Sequence, residues 1–265
     1  MKNSETKSDA YVEELEEKII DLYTQLKIKK EEVDLINKSH KKLVGRLIHD
    51  LKNPAGVVTS FSEMILEDID FYDADKLRKH IEIIKKAADY SIHFLNRTAK
   101  FLRLKSPNMT FLFNKLDYID LLNKVIDRYI PFALGKGINI VSKLEITSEI
   151  LLLDSEEIDK TLSNIIGNAI RYSNENTTIT VFVSTTKDTI ETLITDGGIG
   201  VSEEDIPMVF DEYFVINTYS ADKEKCVGLG LTMSKIIIEQ HKGTISFESE
   251  LDKGSEVKII LPRIS

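Results

Sequence analysis

The sequence predicts a multidomain chain of α and α+β class: an N-terminal coiled coil and helical hairpin, paired into a dimeric four-helix bundle, followed by an α/β sandwich. Three observations lead there. The first third carries a seven-residue apolar rhythm. A polar break falls at Lys105-Ser106-Pro107-Asn108. Beyond it, strand-like and helix-like runs mix without strict alternation, the pattern of one mixed sheet covered by helices.

Val12, Leu15, Ile19, Leu22, Leu26, Lys29, Val33, Ile36, His40, Leu43 and Leu47 alternate in steps of three and four. All but Lys29 and His40 are apolar, which decides for a coiled coil over an ordinary amphipathic helix. The two polar residues on the seam set register or oligomeric state. Pro54 should kink the helix, which resumes through Met64 and Leu66. Residues 68–76 are acidic and turn-prone. A second helix follows, with Leu77, Ile81, Ile84, Ala88, Leu95 and Leu102 on one stripe. Two long helices joined by a short loop form an antiparallel hairpin. One hairpin cannot bury both stripes and two can, so a homodimer is expected.

After the break, strands are expected at 110–116, 138–146, 178–184, 190–195, 244–249 and 256–261. Helices are expected at 118–134, 156–172 and 228–241.

With 265 residues, 42% of them hydrophobic and 30% charged, the chain can build one or two cored domains. A net charge of -9 argues against nonspecific binding to nucleic acid or anionic membranes. A single cysteine, Cys226, excludes an internal disulfide framework. The start is polar and lacks the apolar core of a signal peptide. No apolar run approaches the ~20 residues that span a bilayer. A cytoplasmic chain without direct membrane insertion is expected.

Four stretches carry chemistry. In Leu47-Ile48-His49-Asp50-Leu51-Lys52-Asn53-Pro54, a carboxylate follows a histidine directly. A nucleophilic imidazole needs one nitrogen free and the other held as N–H by an acceptor, and Asp50 is the natural acceptor. Asn53 lies one turn on, on the same face, where an amide can hold a water or a phosphoryl oxygen. With Leu43 and Leu47 on the seam, His49 falls on the outer side and should be exposed.

The second is the i, i+4, i+7, i+8 face of Asn164, Asn168, Arg171 and Tyr172. Amide oxygens suit Mg²⁺ shared with substrate phosphates, and Arg171 suits phosphate itself. The third, Asp196-Gly197-Gly198-Ile199-Gly200, follows a strand. Glycine permits close backbone approach to a ligand, and an acceptor-only carboxylate can receive an exocyclic amine. The fourth, Gly228-Leu229-Gly230-Leu231, opens a helix whose free N–H groups form an anion site. Between the last two lies a charged, structure-poor stretch, 202–227, expected to be a lid tethered by Phe210 and Phe214.

Together, in this order, these boxes resemble a bacterial two-component sensor histidine kinase from about residue 40 onward. His49 to Pro54 is similar to the phospho-acceptor box, and Asn164 to Tyr172 to the N box. Asp196 to Gly200 and Gly228 to Leu231 are similar to the two glycine boxes, and Phe210 to Phe214 to the F box. The resemblance implies a Bergerat-type ATP-binding sandwich, shared with gyrase and MutL, and three regions. These are a coiled-coil signalling helix (1–40), a dimerisation and histidine phosphotransfer domain (41–105) and a catalytic ATP-binding domain (110–265). It further implies that His49 accepts the γ-phosphate of ATP, with Asp50 as acceptor or base and Asn53 placing a water for dephosphorylation. Asn168 would hold Mg²⁺, Arg171 and Tyr172 the phosphates, and Asp196 the adenine amine. Asn164, Gly198, Gly200, Phe210, Gly228, Leu229, Gly230 and Leu231 complete the implied nucleotide site. The implied partners are a second copy of the chain, a response regulator receiver domain and an upstream sensor or input protein. The sequence departs from the pattern at Cys226, where the second glycine box usually begins with glycine. Gly197 is less usual than an amide in the first glycine box, and Ser173-Asn174-Glu175-Asn176 lacks a glycine often found there.

Two other functions share parts of this pattern. A Bergerat-fold ATPase that drives conformational change would carry a glutamate base where this chain has Asn164, and an amide cannot deprotonate water. A dimeric phosphotransfer scaffold with a decayed ATP domain fits the Cys226 departure but not the intact Asn168, Asp196 and glycines.

Overall fold

The computed structural model describes residues 2–216 and 227–263. Along the first helix it describes side chains from Glu17 on, apart from residues 32, 35–37, 39–40, 42–43 and 46. The expectations for Val12, Leu15, Ile36, His40, Leu43 and Cys226 lie outside the described residues. The chain forms two compact units, Met1–His93 and Phe94–Ser265.

In the first unit, helix α1 (Lys2–Glu67) is one unbroken run with Pro54 inside it. The proline therefore removes one N–H from the ladder without ending the helix, where an interruption was expected. A 3₁₀ turn (Ile69–Phe71) leads to helix α2 (Ala74–Leu104). Asp73 starts α2: its Oδ1 accepts from Lys76 N at 2.6 Å and its carbonyl from Leu77 N at 3.0 Å. The hairpin is joined at its closed end by His80. Its ring meets Phe61 edge-on at 5.0 Å, and its Nδ1 lies 2.8 Å from Tyr72 Oη. Ile19, Leu22, Leu26 and Val33 are all more than half exposed, an apolar seam that one chain leaves open.

The stripe expected on α2 is only partly inward. Leu77, Ile84 and Ala88 are half-buried, whereas Ile81, Leu95 and Leu102 are exposed. The buried residues are Phe94, Thr98, Phe101 and Leu104, an i, i+4, i+7, i+10 face that belongs to the second unit's core.

The second unit is a two-layer sandwich. Strands β1 (Asn114–Asp117) and β3 (Ile150–Leu153) form a small antiparallel pair. The main sheet uses β2 (Asn139–Leu144), β4 (Thr178–Thr185), β5 (Thr189–Thr195), β6 (Thr244–Glu250) and β7 (Gly254–Pro262), in the order β2-β4-β5-β7-β6. Only β2 and β4 run parallel. Helices α3 (Tyr118–Leu134), α4 (Ser155–Tyr172) and α5 (Gly230–Gln240) cover the sheet. Alternation makes the sheet one-sided: Ile179, Val181 and Val183 of β4 and Ile190 and Ile194 of β5 are fully buried. Leu122, Val125, Ile158, Leu162, Ile165 and Ile166 of the covering helices are likewise fully buried. The buried Tyr118 hydroxyl meets Thr192 Oγ1 at 2.8 Å, and desolvation pushes its pKa up to about 12.

Two aspartates cap helices α3 and α4. Asp117 Oδ1 accepts from Ile119 N at 2.9 Å and Asp120 N at 3.3 Å. Asp154 Oδ1 accepts from Glu157 N at 3.2 Å. Leu229, at the same position of α5, has no side-chain acceptor to offer.

Candidate functional site

The main cavity lies between α4, the β5–β7 end of the sheet and the start of α5. One face of α4 supplies its polar wall, because residues spaced by three and four align. Asn164, Asn168, Arg171 and Tyr172 all line the cavity, together with Asp196, Gly200, Gly228, Gly230 and Leu231. Its apolar wall comes from Ile194, Ile199, Val201, Val209, Phe247 and Val257, suited to a flat aromatic base.

Three residues expected at the site are placed otherwise. Leu229 is fully buried and does not line the cavity. Phe210 is half-buried beneath Lys235, whose Nζ sits 5.5 Å from the ring centroid. Gly198 lies behind the cavity, where a Cβ would collide with the Tyr172 carbonyl and come within 2.8 Å of Asp196 Oδ1. Its smallness serves close packing within the chain, not ligand approach. Gly230 has the same role: a Cβ there would collide with the side chain of Asn164. The glycine lets α5 begin directly against α4.

Asp196 closes one end. Its Oδ1 accepts from Gly198 N at 2.9 Å and Ser255 N at 3.2 Å. Those bonds fix the carboxylate and leave Oδ2 for a ligand donor. Desolvation pushes the carboxyl above its ordinary range, and the two backbone donors only partly offset it. The opposite end holds Asn164. Its Oδ1 accepts from Arg97 Nη2 at 3.2 Å, and its Nδ2 donates to Ser234 Oγ at 3.2 Å. The Asn168 side chain makes no hydrogen bond to the described residues, so its amide oxygen is left to a cation. That donor fits Mg²⁺ shared with phosphates and water. The uncapped first-turn amides of α5 start beside Asn164 and attract anions.

Arg97 lines this cavity and was not expected there. It sits 67 residues before Asn164, in a helix read as a dimerisation element, and no local motif marks it. Beside the main cavity, a groove between α3 and α4 carries Arg97, Arg128, Lys136, Lys160 and Arg171, a cationic patch on an acidic chain.

In the first unit, His49 is 73% exposed at its side chain, and Nδ1 lies 3.1 Å from Asp50 Oδ1. The neighbouring carboxylate fixes Nδ1 as the protonated nitrogen and turns the Nε2 lone pair outward. Asn53 is exposed one turn on. Among the described residues, no helix is long and apolar enough to cross a membrane.

Residues 153–265 match the family described as histidine kinase-, DNA gyrase B- and HSP90-like ATPase. Sensor protein RprX of Bacteroides fragilis is 28% identical over 225 residues, 83% of this chain and 43% of RprX. Sensor histidine kinase YvrG of Bacillus subtilis is 25% identical over 252 residues, 94% of this chain and 43% of YvrG. The chain thus spans less than half the length of these relatives. Among solved structures, histidine kinase AdeS of Acinetobacter baumannii superposes with a TM-score of 0.62 at 18% identity, over 82% of this chain and 98% of that one. Histidine kinase ThkA, crystallised with response regulator protein TrrA, superposes at 0.68 and 19% identity, over 84% of this chain and 61% of that one. Residues 153–265 are thus an ATPase domain of that family, and along most of its length the chain is similar to sensor histidine kinases.

Proposed function

We propose that this chain is an ATP-dependent protein histidine kinase that phosphorylates its own His49 and passes the group to an aspartate of a response regulator receiver domain. An ATPase domain alone is shared with enzymes that only turn ATP over. The observation that singles out a kinase is His49: exposed, with Nδ1 held at Asp50 and Nε2 facing solvent.

In the proposed reaction, Asp196 Oδ2 accepts the adenine amine and the apolar wall holds the base. Arg171 and the α5 amides bind phosphates. Asn168 would hold Mg²⁺, which would supply positive charge to offset that of the phosphates. His49 Nε2 attacks the γ-phosphorus, and the bond to the β-bridging oxygen breaks as ADP leaves. The positive charge formed on the imidazole is relieved as the Nδ1 proton moves to Asp50. An aspartate of the receiver domain then takes the phosphoryl group from Nε2. Asn53, exposed beside His49, positions water for the reverse duty of dephosphorylating the receiver. The open seam of Ile19, Leu22, Leu26 and Val33 supports a homodimeric coiled coil, through which an upstream input protein acts on the bundle. The kinship with ThkA, whose complex contains a response regulator, supports that partner class.

The test is incubation of the full chain with Mg-ATP labelled at the γ-position. Acid-labile, base-stable label is expected on the wild type and none on His49→Gln. Equal labelling of both overturns the reading.

A further inference from the structure

We propose that Arg97, contributed by the last turns of α2, contacts the terminal phosphate of the bound nucleotide and so separates triphosphate from diphosphate. This rests on the nucleotide reading of the main cavity. The cavity has two distinct ends. At one, Asp196 is fixed by backbone donors, and Tyr172 O accepts from Ile199 N at 3.2 Å. At the other, Arg97, the start of α5 and Ser234 converge on Asn164. Asn164 and Tyr172 lie eight positions apart on α4, about 12 Å along its axis. A base held at Asp196 sends the phosphate chain toward Asn164. The terminal phosphate, farthest from the base, reaches the end that Arg97 occupies.

The arginine is built in. One turn further along α2, Phe101 is fully buried and meets Tyr213 edge-on at 6.1 Å. Lys100 Nζ pairs with the buried Glu157 at 2.9 Å, anchoring α2 to the first turn of α4. Those contacts hold Arg97 at the cavity wall. A guanidinium fork matches phosphate oxygens better than it matches a neutral amide. On binding, Arg97 exchanges Asn164 Oδ1 for a γ-phosphate oxygen, while the contacts nearer the base serve ATP and ADP alike.

The test is calorimetric titration of the full chain with Mg-ATP and Mg-ADP. Arg97→Ala is expected to weaken ATP by about tenfold or more and to leave ADP within about twofold of wild type. Arg97→Lys should recover part of the ATP loss. Unchanged ATP affinity in Arg97→Ala overturns the proposal, and so does an equal loss for both nucleotides. If wild type binds neither nucleotide, the reading of the cavity itself fails. If wild type binds both and only Arg97→Ala is silent, the cavity stands and Arg97 does not.

Discussion

The backbone N–H of Asp154 donates to Nε2 of His241 at 2.9 Å, joining the start of α4 to the end of α5. His241 is 4% exposed, and its Nδ1 lies 2.7 Å from the Ile237 carbonyl. A ring that accepts at Nε2 and donates at Nδ1 must be neutral. Burial lowers its pKa, outweighing the Ile237 bond and the nearby Asp154 and Glu157 charges. The sign follows. The unfolded chain takes up a proton below the ordinary histidine value of 6.5, and the folded chain resists it. His241 therefore stabilises the fold above that value, and this contribution is lost as pH falls through and below it. His241→Phe leaves the Asp154 N–H unpaired and should cost about 1–3 kcal/mol near neutrality. Urea unfolding at about pH 7.5 and about pH 5.5 should show the gap between wild type and variant narrowing in acid. A constant gap would mean that the histidine's protonation is not linked to folding.

The same corner shows where sequence reading stops. The run Thr110 to Leu116 is apolar enough to read as strand, but pairing begins only at Asn114. Leu112 N instead donates to Asp154 Oδ2 at 2.8 Å, and Phe111 and Phe113 pack on His241. The partner strand, Ile150–Leu153, is four apolar residues directly before a helix, too short to show a period. The longer strands and α3, α4 and α5 were legible because each carries a full period of burial. The face of Asn164, Asn168, Arg171 and Tyr172 was legible for the same reason. Arg97 was not, because its approach to Asn164 is made by folding alone. Gly198 was legible as a required glycine, yet its neighbour is the Tyr172 carbonyl and not a ligand.

That difference predicts opposite signs for two glycine substitutions. Gly198→Ala drives a methyl into the Tyr172 carbonyl and against Asp196 Oδ1. It should destabilise by about 1–3 kcal/mol, as over-packing does, and weaken ATP binding by displacing Asp196. Gly56 lies inside α1 with nothing within 4 Å of an added Cβ. Gly56→Ala should stabilise by up to about 1 kcal/mol, the helix-propensity difference. Thermal melts of the two variants should move to opposite sides of wild type.

Leu26, 67% exposed on α1, offers a test of the seam. A carboxylate at a buried coiled-coil position must be desolvated or the helices must part. Leu26→Glu should therefore lower the dimer fraction in sedimentation experiments at low micromolar concentration. On a helix that stays single in solution, the same change would leave the sedimentation coefficient where it was.

Asp50 is the most direct probe of how His49 works. In Asp50→Asn the amide oxygen can still accept from Nδ1, so the ring keeps its orientation. What it loses is the charge that stabilises the developing imidazolium and takes its proton. General-base assistance is worth about 10²–10⁴-fold, so autophosphorylation should slow by about a hundredfold while label still appears on His49. Nucleotide affinity should not change, because Asp50 belongs to the first unit and the nucleotide cavity to the second. A slow but finite rate separates Asp50→Asn from His49→Gln, which lacks an acceptor altogether. Wild-type rates in Asp50→Asn would reduce Asp50 to an orienting neighbour and shift the proton's destination to solvent.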